Sequence, residues 1–393
     1  MASSVKEVRV FACGIGNCFK SFAEAVCAFT AKPASKDMDR GVLYADVGGY
    51  HVEHIKLVGG FDVDIRKIGK RLNEAIYELP NCAIDLCTRE EVNSVEMGMV
   101  YPGPILDGVS PVMLAETNKS KTFLTYGEET IPLTKVQIIA LLKELRVDVL
   151  VNYLPTGSQV ATEFYVECAL EAGVNVCNCI PVFIASTEIW EARFKEKGLL
   201  IIGDDYRSGV GASVLSAAIE ELFAKRHSLI HRHVQINYGG NTDFKNLCGN
   251  RHASKKISKE RVLTDPLQTM YPEEDHSDHY VFAGPACYIE PMGDQKVATF
   301  RIEGEGILGA PLILDMRLQV EDSPNSCAIG LLACRMLKVA SEMGLVGSLR
   351  GASCFTQKSP PYPFLLFDDA IKEVEALTRR ELTDNLRKYN LPA

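Results

Sequence analysis

The segment from Arg251 to Lys259, which reads RHASKKISK, contains lysines whose spacing could support chemistry. If this segment is helical, Lys255 and Lys259 lie one turn apart on one face, with about 6 Å between their Cβ atoms. Two ammonium groups held that close repel each other, and an anion such as a phosphate would relieve the repulsion. Burial beside a second cation also lowers the pKa of a lysine, which permits proton transfer near neutral pH. The simpler alternative is a solvated basic face, because most lysines lie on protein surfaces.

The rest of the chain is acidic, so this basic cluster stands out from its surroundings. The 393 residues carry a formal net charge of -9, and 47% of them are hydrophobic and 24% charged, as in folded globular proteins. This length suits two domains, or one large α/β unit with an insertion. The acidic balance argues against non-specific nucleic-acid binding. Because no stretch approaches the roughly eighteen apolar residues of a membrane span, we expect no membrane partner either.

The cysteines and the first residues indicate a cytoplasmic protein. The sequence MASSVKEVRVFACGIG lacks the basic region and long apolar run of a secretory signal. The 13 cysteines are odd in number and irregularly spaced, and they include no CxxC pair. We therefore expect reduced thiols and no structural zinc site.

The first half of the chain alternates strand-like and helix-like segments, which predicts an α/β fold with a doubly wound parallel sheet of the Rossmann type. The predicted strands are 7–13, 55–61, 147–153, 174–179 and 199–203. The predicted helices are 18–29, 65–77, 136–145, 159–172, 187–196 and one that ends near residue 225.

Beyond residue 234 the pattern changes to strands that partly alternate apolar and polar residues, as antiparallel strands with one solvated face do. The predicted elements are strands at 234–237, 280–283, 297–303 and 311–320, and a helix at 327–343. We therefore predict an α+β domain of residues 237–325, inserted in a Rossmann domain of residues 1–236 and 326–393. Residues 30–49 and 264–279 have the least regular patterns.

A glycine-rich turn between the first predicted strand and helix is typical of a dinucleotide site. Gly14, Gly16 and Asn17 form this turn, where glycines let the backbone approach a pyrophosphate and the helix N-terminus favours its charge. The motif is incomplete, because Phe19 stands where GxGxxG has its third glycine. Asp62 ends the next strand, where a carboxylate commonly binds the adenine-side ribose and favours NAD over NADP. The alternative is that Asp62 only caps the next helix.

Two further turns follow strands of the same predicted sheet, at the edge where ligands bind in such folds. They read LPTGS at 154–158 and GDDYRS at 203–208. The two adjacent carboxylates of the second turn would repel each other unless one of them binds a partner. The residues of these turns that we expect to contact the cofactor are Leu154, Pro155, Gly157, Ser158, Asp204, Asp205 and Ser208.

The sequence resembles the inositol-1-phosphate synthase family, most closely its short bacterial members, over nearly the whole chain. The motifs that carry the resemblance are VNYLPTGS (151–158), NVCNCIPVFIAS (175–186), GDDYRSGVGAS (203–213), GGNTDFKN (239–246), SKKISK (254–259), DSPNS (322–326) and QKSPP (357–361).

The resemblance implies an isomerase of inositol biosynthesis, which cyclises D-glucose 6-phosphate to 1L-myo-inositol 1-phosphate with NAD and without net redox change. The family's reaction proceeds by oxidation at C5, enolisation, aldol closure between C6 and C1, and reduction. The resemblance also implies a homotetramer assembled through the second-domain sheet. A monovalent or divalent cation beside the pyrophosphate is compatible with this chemistry, but no cluster of metal ligands requires one.

The family motifs also imply roles for individual residues. Lys255 and Lys259 match two lysines assigned to phosphate binding and proton transfer. Lys296 looks like a third active-site lysine, and Lys358 matches a fourth that polarises the reacting oxygen. Asp322 opens the DSPNS motif and would orient a lysine.

The remaining carried-over roles concern the nicotinamide side and the substrate. Asp205 looks like the aspartate on the nicotinamide side of the cofactor. The residues expected to bind the substrate are Asn237, Asn241, Asp243, Ser323 and Asn325.

The sequence departs from the bacterial family members at three positions near these motifs. Arg207 stands where they usually have lysine, and Thr242 and Lys245 replace two apolar residues of GGNMDFLN. Such changes would suit a relative that converts another sugar phosphate to a different carbocycle or a ketone. The pattern is also compatible with a non-catalytic regulator that binds NAD or a sugar phosphate, and with an ordinary dehydrogenase.

Overall fold

The computed structural model describes residues 6–32, 41–249, 251, 253–273 and 278–392. Its strands are β1 (Val8–Cys13), β2 (Ile55–Asp62), β3 (Met99–Pro102), β4 (Val149–Asn152), β5 (Asn175–Asn178), β6 (Leu200–Ile202), β7 (Leu229–Gly239), β8 (Tyr280–Tyr288), β9 (Gln295–Glu305), β10 (Pro311–Glu321) and β11 (Gly347–Ser348). Its helices are α1 (Asn17–Ala31), α2 (Leu72–Ala75), α3 (Arg89–Asn93), α4 (Pro111–Ala115), α5 (Lys135–Glu144), α6 (Gln159–Ala172), α7 (Glu188–Glu196), α8 (Ala212–Lys225), α9 (Thr242–Leu247), α10 (Ala253–Met270), α11 (Asp322–Glu342), α12 (Arg350–Thr356), α13 (Phe367–Thr378) and α14 (Asp384–Asn390).

The larger sheet has the strand order β3-β2-β1-β4-β5-β6-β11, and its strands pair in parallel. The central strands are apolar along almost their whole length, because helices cover both faces. Helices α1, α11 and α13 pack on one face, and α5, α6 and α7 pack on the other. The first six strands of this order form the doubly wound Rossmann arrangement, which places a ligand site between β1 and β4.

The smaller sheet has the order β10-β9-β7-β8. Strand β9 pairs antiparallel with β7 and β10, whereas β8 runs parallel to β7 after a connection through α9 and α10. The predicted α/β fold with an inserted second sheet is therefore confirmed. The boundary predicted at 237 falls inside β7, and the one at 325 falls inside α11, so each boundary divides a regular element.

The helix predicted at 65–77 is wrong, because the structure has turns there and only the short helix α2. Gly69 has a φ of +80°, which ends any regular helix. Backbone groups of this segment pair with β3 instead: Gly69 N donates to Val100 O at 2.9 Å, and Val100 N donates to Lys70 O at 2.9 Å. A pairing partner distant in sequence thus replaces the local helical hydrogen bonds.

Helix α10 carries the lysine cluster of the sequence, which consists of Lys255, Lys256 and Lys259. It continues to Met270 through Pro266, so the first part of the segment predicted to be irregular is helical. Residues 274–277 of that segment, and 33–40 of the other irregular segment, lie outside the described residues. Among the helices that the structure describes, none combines the length and apolar character of a membrane span.

Candidate active site

A cleft runs along the carboxyl ends of β1 and β4 and continues beneath the second sheet. One part, here called the glycine half, is lined by residues that include Gly14, Ile15, Gly16, Asp62, Lys67, Leu154 and Pro155. The other part, here called the lysine half, is lined by residues that include Asn241, Asp243, Lys255, Lys296, Asp322, Ser323 and Lys358. The residues common to both halves are Gly16, Lys67, Phe123, Tyr153, Leu154 and Pro155.

The glycine turn between β1 and α1 is shaped by close backbone packing. Gly14 has a φ of +89°, and a Cβ atom on it would lie 2.7 Å from Tyr153 O. Gly16 has open space where its Cβ would be. No described side chain caps α1, so the N–H groups of its first turn are left for a ligand or water.

Hydrogen bonds to the Asp62 carboxylate connect the end of β2 to this turn. Its carboxylate accepts hydrogen bonds from Ile15 N at 2.9 Å, Val63 N at 2.8 Å and Asp64 N at 2.9 Å. The contacts to Val63 and Asp64 hold the turn that follows β2, where no helix begins, and the residue also lines the glycine half. Asp62 therefore positions the glycine turn and is available to a ligand in this half.

Lys255 and Lys358 both lie close to the buried carboxylate of Asp205, beside the lysine half. Lys358 Nζ donates to Asp205 Oδ1 at 2.8 Å, and Lys255 Nζ lies 3.9 Å from the same oxygen. Lys255 Nζ also donates to Asp243 Oδ2 at 3.1 Å. Helices α9 and α10, the turn after β6 and the segment after α12 supply these groups, so residues far apart in sequence converge here.

The two lysines differ in their proton affinity. Burial disfavours the charged form of Lys255, but Asp243 and Asp205 outweigh it and raise the pKa of this residue. Burial lowers the pKa of Lys358 to about 8, because Asp205 offsets it only in part and the nearby Lys255 adds to the effect. Lys255 is therefore a permanent cation near neutral pH, whereas Lys358 can exchange a proton.

Lys259 lies one helical turn after Lys255 and has a different environment. It is 5% exposed, and no ion pair or hydrogen bond from its amine to another described residue is present. Burial first, and then the charges of Lys296 and Lys255, hold its pKa well below the ordinary value. Lys259 lies behind the residues that line the cleft, where a neutral amine is favoured.

Lys296 and Asp322 form a second charged pair, and a buried carboxyl that sequence reasoning missed lies beside it. Lys296 Nζ donates to Asp322 Oδ1 at 2.9 Å. Asn241 Nδ2 lies 3.2 Å from both Asp322 Oδ2 and Asp294 Oδ1, and Ser323 Oγ donates to Asp294 at 2.9 Å. Burial, followed by the charge of Asp322, raises the pKa of Asp294 to about 7. The sequence feature that could have indicated Asp294 is its position in GDQK, two residues before Lys296.

Four residues predicted to contact the cofactor lie outside the lining of the cleft: Asp205, whose contacts to the lysines are given above, and Asp204, Gly157 and Ser158. Asp204 is buried, and its oxygens accept hydrogen bonds from Asn178 Nδ2 and from backbone N–H groups of 184–186. Burial raises the pKa of Asp204 to about 6. Gly157, with a φ of +86°, and Ser158, which donates to Pro155 O at 2.7 Å, shape the turn that carries Leu154 and Pro155.

Two residues predicted to bind the substrate also lie outside this lining. Asn237 is buried in β7 and donates to Gly284 O at 3.2 Å. Asn325 accepts a hydrogen bond from Val210 N at 3.1 Å and so holds the loop before α8. The other predicted residues that do line the cleft are Asn17, Ser208, Asn241, Asp243 and Ser323.

Of the three departures from the bacterial motifs, only Thr242 faces the cleft. Arg207 is buried, and its Nε donates to Gln357 O at 2.7 Å, so it supports the segment that carries Lys358. Lys245 Nζ donates to Glu116 at 2.6 Å, away from the lining. Thr242 is therefore the one of these three departures that could contact a ligand in the cleft.

The fold and the site together define an enzyme of the Rossmann type whose cleft concentrates lysine and aspartate side chains. Residues 211–323 match the family model of myo-inositol-1-phosphate synthase. The inositol-3-phosphate synthase of Mycobacterium tuberculosis (strain CDC 1551) is 37% identical over 359 residues, which is 90% of this chain and 91% of that protein. The inositol-3-phosphate synthase of Corynebacterium glutamicum is 35% identical, with 94% of this chain and 97% of that protein covered. The chain belongs to the inositol-3-phosphate synthase family.

A solved structure supports the fold independently. The crystal structure of a myo-inositol-1-phosphate synthase-related protein from Thermotoga maritima superposes with a TM-score of 0.74 at 22% identity, and 96% of this chain and 100% of that chain are covered. Within the part of the chain that the structure describes, no group of three or more His, Cys, Asp or Glu side chains could hold a metal ion.

Proposed function

We propose that this protein cyclises D-glucose 6-phosphate to 1L-myo-inositol 1-phosphate, with NAD as a cofactor and no net change in redox state. The observation that carries the proposal is the convergence of Lys255, Lys296 and Lys358 from three separate parts of the chain on one cleft, with the buried Lys259 directly behind its lining. The sequence similarity to proteins named inositol-3-phosphate synthase supports the same reaction.

The glycine half fits a dinucleotide. Gly14 brings the backbone close to β4, Gly16 leaves open space, and α1 begins without a capping side chain. Gly14, Gly16, Asp62, Leu154 and Pro155 would hold the cofactor. When bound, NAD would accept a hydride from the sugar and return it later in the reaction.

The lysine half suits the phosphate and the anionic oxygens of such a reaction. Lys255 keeps its charge near neutral pH and therefore suits the substrate phosphate. Lys358 lines the cleft and would stabilise negative charge that develops on the reacting oxygen, because a preorganised cation in a dry site acts strongly on such charge. The depressed pKa of Lys259 suits a base that takes a proton from carbon next to a carbonyl group.

The hydrogen-bonded group around Lys296 would orient the sugar. Asp322 holds the ammonium of Lys296, and Asn241 links Asp322 to Asp294. Asn241 and Ser323 line the cleft, where their polar atoms can contact sugar hydroxyls. These side chains are fixed by one another before any substrate binds, which favours a defined orientation.

A related sugar phosphate is the second candidate substrate, and Thr242 is the observation that favours it. This side chain lines the lysine half and is smaller and more polar than the methionine of the bacterial motif. The resulting space and hydroxyl group could accommodate a different pattern of hydroxyls. Replacement of Thr242 by Met should then increase the preference for glucose 6-phosphate.

The proposal is tested by incubating the purified protein with glucose 6-phosphate and NAD and following the products by phosphorus NMR. We expect inositol 1-phosphate to form without net change in nicotinamide absorbance, and activity to disappear when NAD is stripped. Stoichiometric NADH would instead identify a dehydrogenase. Turnover only with another hexose phosphate would identify a relative with a different substrate, and binding without any turnover would identify a regulator.

We also propose that the protein is a cytoplasmic homotetramer assembled through the second sheet. Strand β10 lies at the edge of that sheet, and Ile307, Leu308 and Ile313 on or beside it are exposed. An exposed apolar sheet edge favours pairing with another copy. Light scattering of the purified protein measures the mass directly, and a monomer would contradict this proposal.

A further inference from the structure

Lys67 is a buried cation at the point where the two halves of the cleft meet. The residue is 2% exposed and contributes to the lining of both halves. Its Nζ donates to Ile15 O, inside the glycine turn, at 2.6 Å and lies 3.5 Å from Asp62 Oδ2. Burial of an ammonium group is unfavourable unless partners compensate for the lost water. A functional ligand would supply a further partner.

The charges in the glycine half are few and close together. Among the described residues that line it, Lys67 is the only lysine or arginine and Asp62 the only carboxylate. The oxygens of Asp62 already accept three backbone N–H groups. The ammonium of Lys67 has three N–H donors, and Ile15 O takes one of them at hydrogen-bond distance. Lys67 therefore has donor capacity beyond its contacts within the protein.

The position of Lys67 corresponds to the middle of a bound dinucleotide. A dinucleotide has two nucleosides joined by a pyrophosphate, and the only strong negative charge of NAD is on that linker. The two halves of the cleft meet at the glycine turn, and Lys67 contacts that turn directly. We propose that Lys67 binds the pyrophosphate of the cofactor, so that an ammonium group adds to the backbone N–H groups of α1. This inference rests on the proposed function and names a cofactor-binding residue for it.

A purely structural role for Lys67 makes a different prediction. Lys67 could serve only to hold Asp62 and the glycine turn in place. Loss of its charge would then alter the shape of the site without removing a charge contact to the ligand. The two roles are separated by the dependence of binding on salt, because salt screens a contact between a cation and a phosphate.

The test is calorimetric titration of NAD and of ADP-ribose, at low and at high potassium chloride, into the wild-type protein and three variants. Lys67→Met should weaken both ligands by about ten- to a hundredfold at low salt, as expected for a lost charge-assisted hydrogen bond. The same variant should show a smaller dependence of affinity on salt than the wild type. Lys67→Arg should keep most of the affinity and the salt dependence.

Lys70→Met is the matched control, because Lys70 lies three positions later, is partly exposed and pairs with Glu78 away from the cleft. It should bind both ligands as the wild type does. Unchanged affinity in Lys67→Met, or reduced affinity with the full salt dependence of the wild type, would overturn the inference. If Lys67→Met does not fold, Lys67→Gln replaces it in the same titrations. A wild-type protein that binds neither ligand would instead contradict the proposed function.

Discussion

The two halves of the cleft are built in different ways. The glycine half is lined by the turns that follow β1, β2 and β4 and by the segment after β3, and backbone groups contribute much of its polarity. The lysine half is made of charged side chains from α10, β9, α11 and the segment after α12. The described residues that line the glycine half include one cation and one carboxylate, and N–H donors remain for a ligand, whereas the lysine half brings several lysines and aspartates close together. The contrast suggests that the glycine half is suited to ligand binding and the lysine half to proton transfer.

Loss of Lys259 should lower turnover without weakening the binding of NAD, and we expect this to be the largest difference between the two halves. We expect Lys259→Met to lower kcat about a thousandfold, within the range for loss of general acid–base catalysis. The affinity for NAD should stay close to that of the wild type, because Lys259 lies on α10 and outside the glycine half. Steady-state kinetics and calorimetry measure the two quantities.

Lys256→Met is the control for this variant, since Lys256 lies on the same helix, is half exposed and faces Glu260 at 3.7 Å. It should keep normal turnover. A parallel loss of NAD affinity in Lys259→Met would show that Lys259 supports the cofactor site rather than the chemistry.

Loss of Asp62 should affect the glycine half alone. Asp62→Ala removes the acceptor of three backbone N–H groups, so we expect NAD to bind about ten- to thirtyfold more weakly. Discrimination against NADP should also decrease, because the carboxylate no longer repels a 2′-phosphate. Titrations with both dinucleotides check these expectations.

Asp62→Asn sharpens this prediction, because it keeps the shape and one acceptor oxygen but removes the charge. It should bind NAD nearly normally and NADP better than the wild type does. Unchanged cofactor preference in both variants would place Asp62 outside the ribose site and leave it only its role in the turn.

The pH dependence of kcat should reflect the protonation state of Lys358 in the lysine half. The pKa of Lys358 is about 8, so the fraction of this residue that carries a charge decreases above that pH. If the charged form is required, kcat should fall roughly tenfold per pH unit well above pH 8. Arginine keeps its charge throughout this range, so Lys358→Arg should move the decline to higher pH. Identical alkaline limbs in the two proteins would exclude Lys358 as the titrating group.

Local sequence patterns predicted the elements of the Rossmann domain better than the assembly of the site. Helix α6 has the bounds 159–172 that its pattern predicted. The helix predicted at 65–77 failed because its backbone pairs with β3, a contact between distant segments that no local pattern contains. Lys67 lies in that segment, which is why no sequence pattern indicated a buried cation in the cleft.

The lysine half could be predicted only through the family resemblance. Adjacent carboxylates such as Asp204 and Asp205 look alike in sequence, yet the first accepts hydrogen bonds from the loop after β5 and the second binds Lys358. The backbone at Asp205, with a φ of +60°, turns the two side chains apart. Spacing placed Lys255 and Lys259 on one helical face, but their pKa directions differ because tertiary structure brings Asp243 and Asp205 close to Lys255, whereas burial and three other lysines outweigh Asp205 at Lys259.

These two lysines should also have opposite effects on stability, with changes of about 1–3 kcal/mol. Lys255→Met removes the cation that pairs with Asp243 and one of the two cations beside Asp205, so the free energy of unfolding should decrease. Lys259→Met removes a buried amine with no ion-pair partner among the described residues, so the free energy of unfolding should increase. Urea denaturation at neutral pH measures both changes.

The size of each change in the free energy of unfolding should depend on pH. The folded state lowers the pKa of Lys259, so the unfolded chain binds more protons between that lowered pKa and the unfolded lysine value of about 10.4. The stabilisation in Lys259→Met should therefore be largest below the folded-state pKa of Lys259 and shrink as the pH rises towards about 10.4. The folded state raises the pKa of Lys255, so the stability lost in Lys255→Met is fully present below about pH 10.4. If both variants were destabilised equally at neutral pH, Lys259 would not be a disfavoured buried amine, and the electrostatic contrast between Lys255 and Lys259 would be wrong.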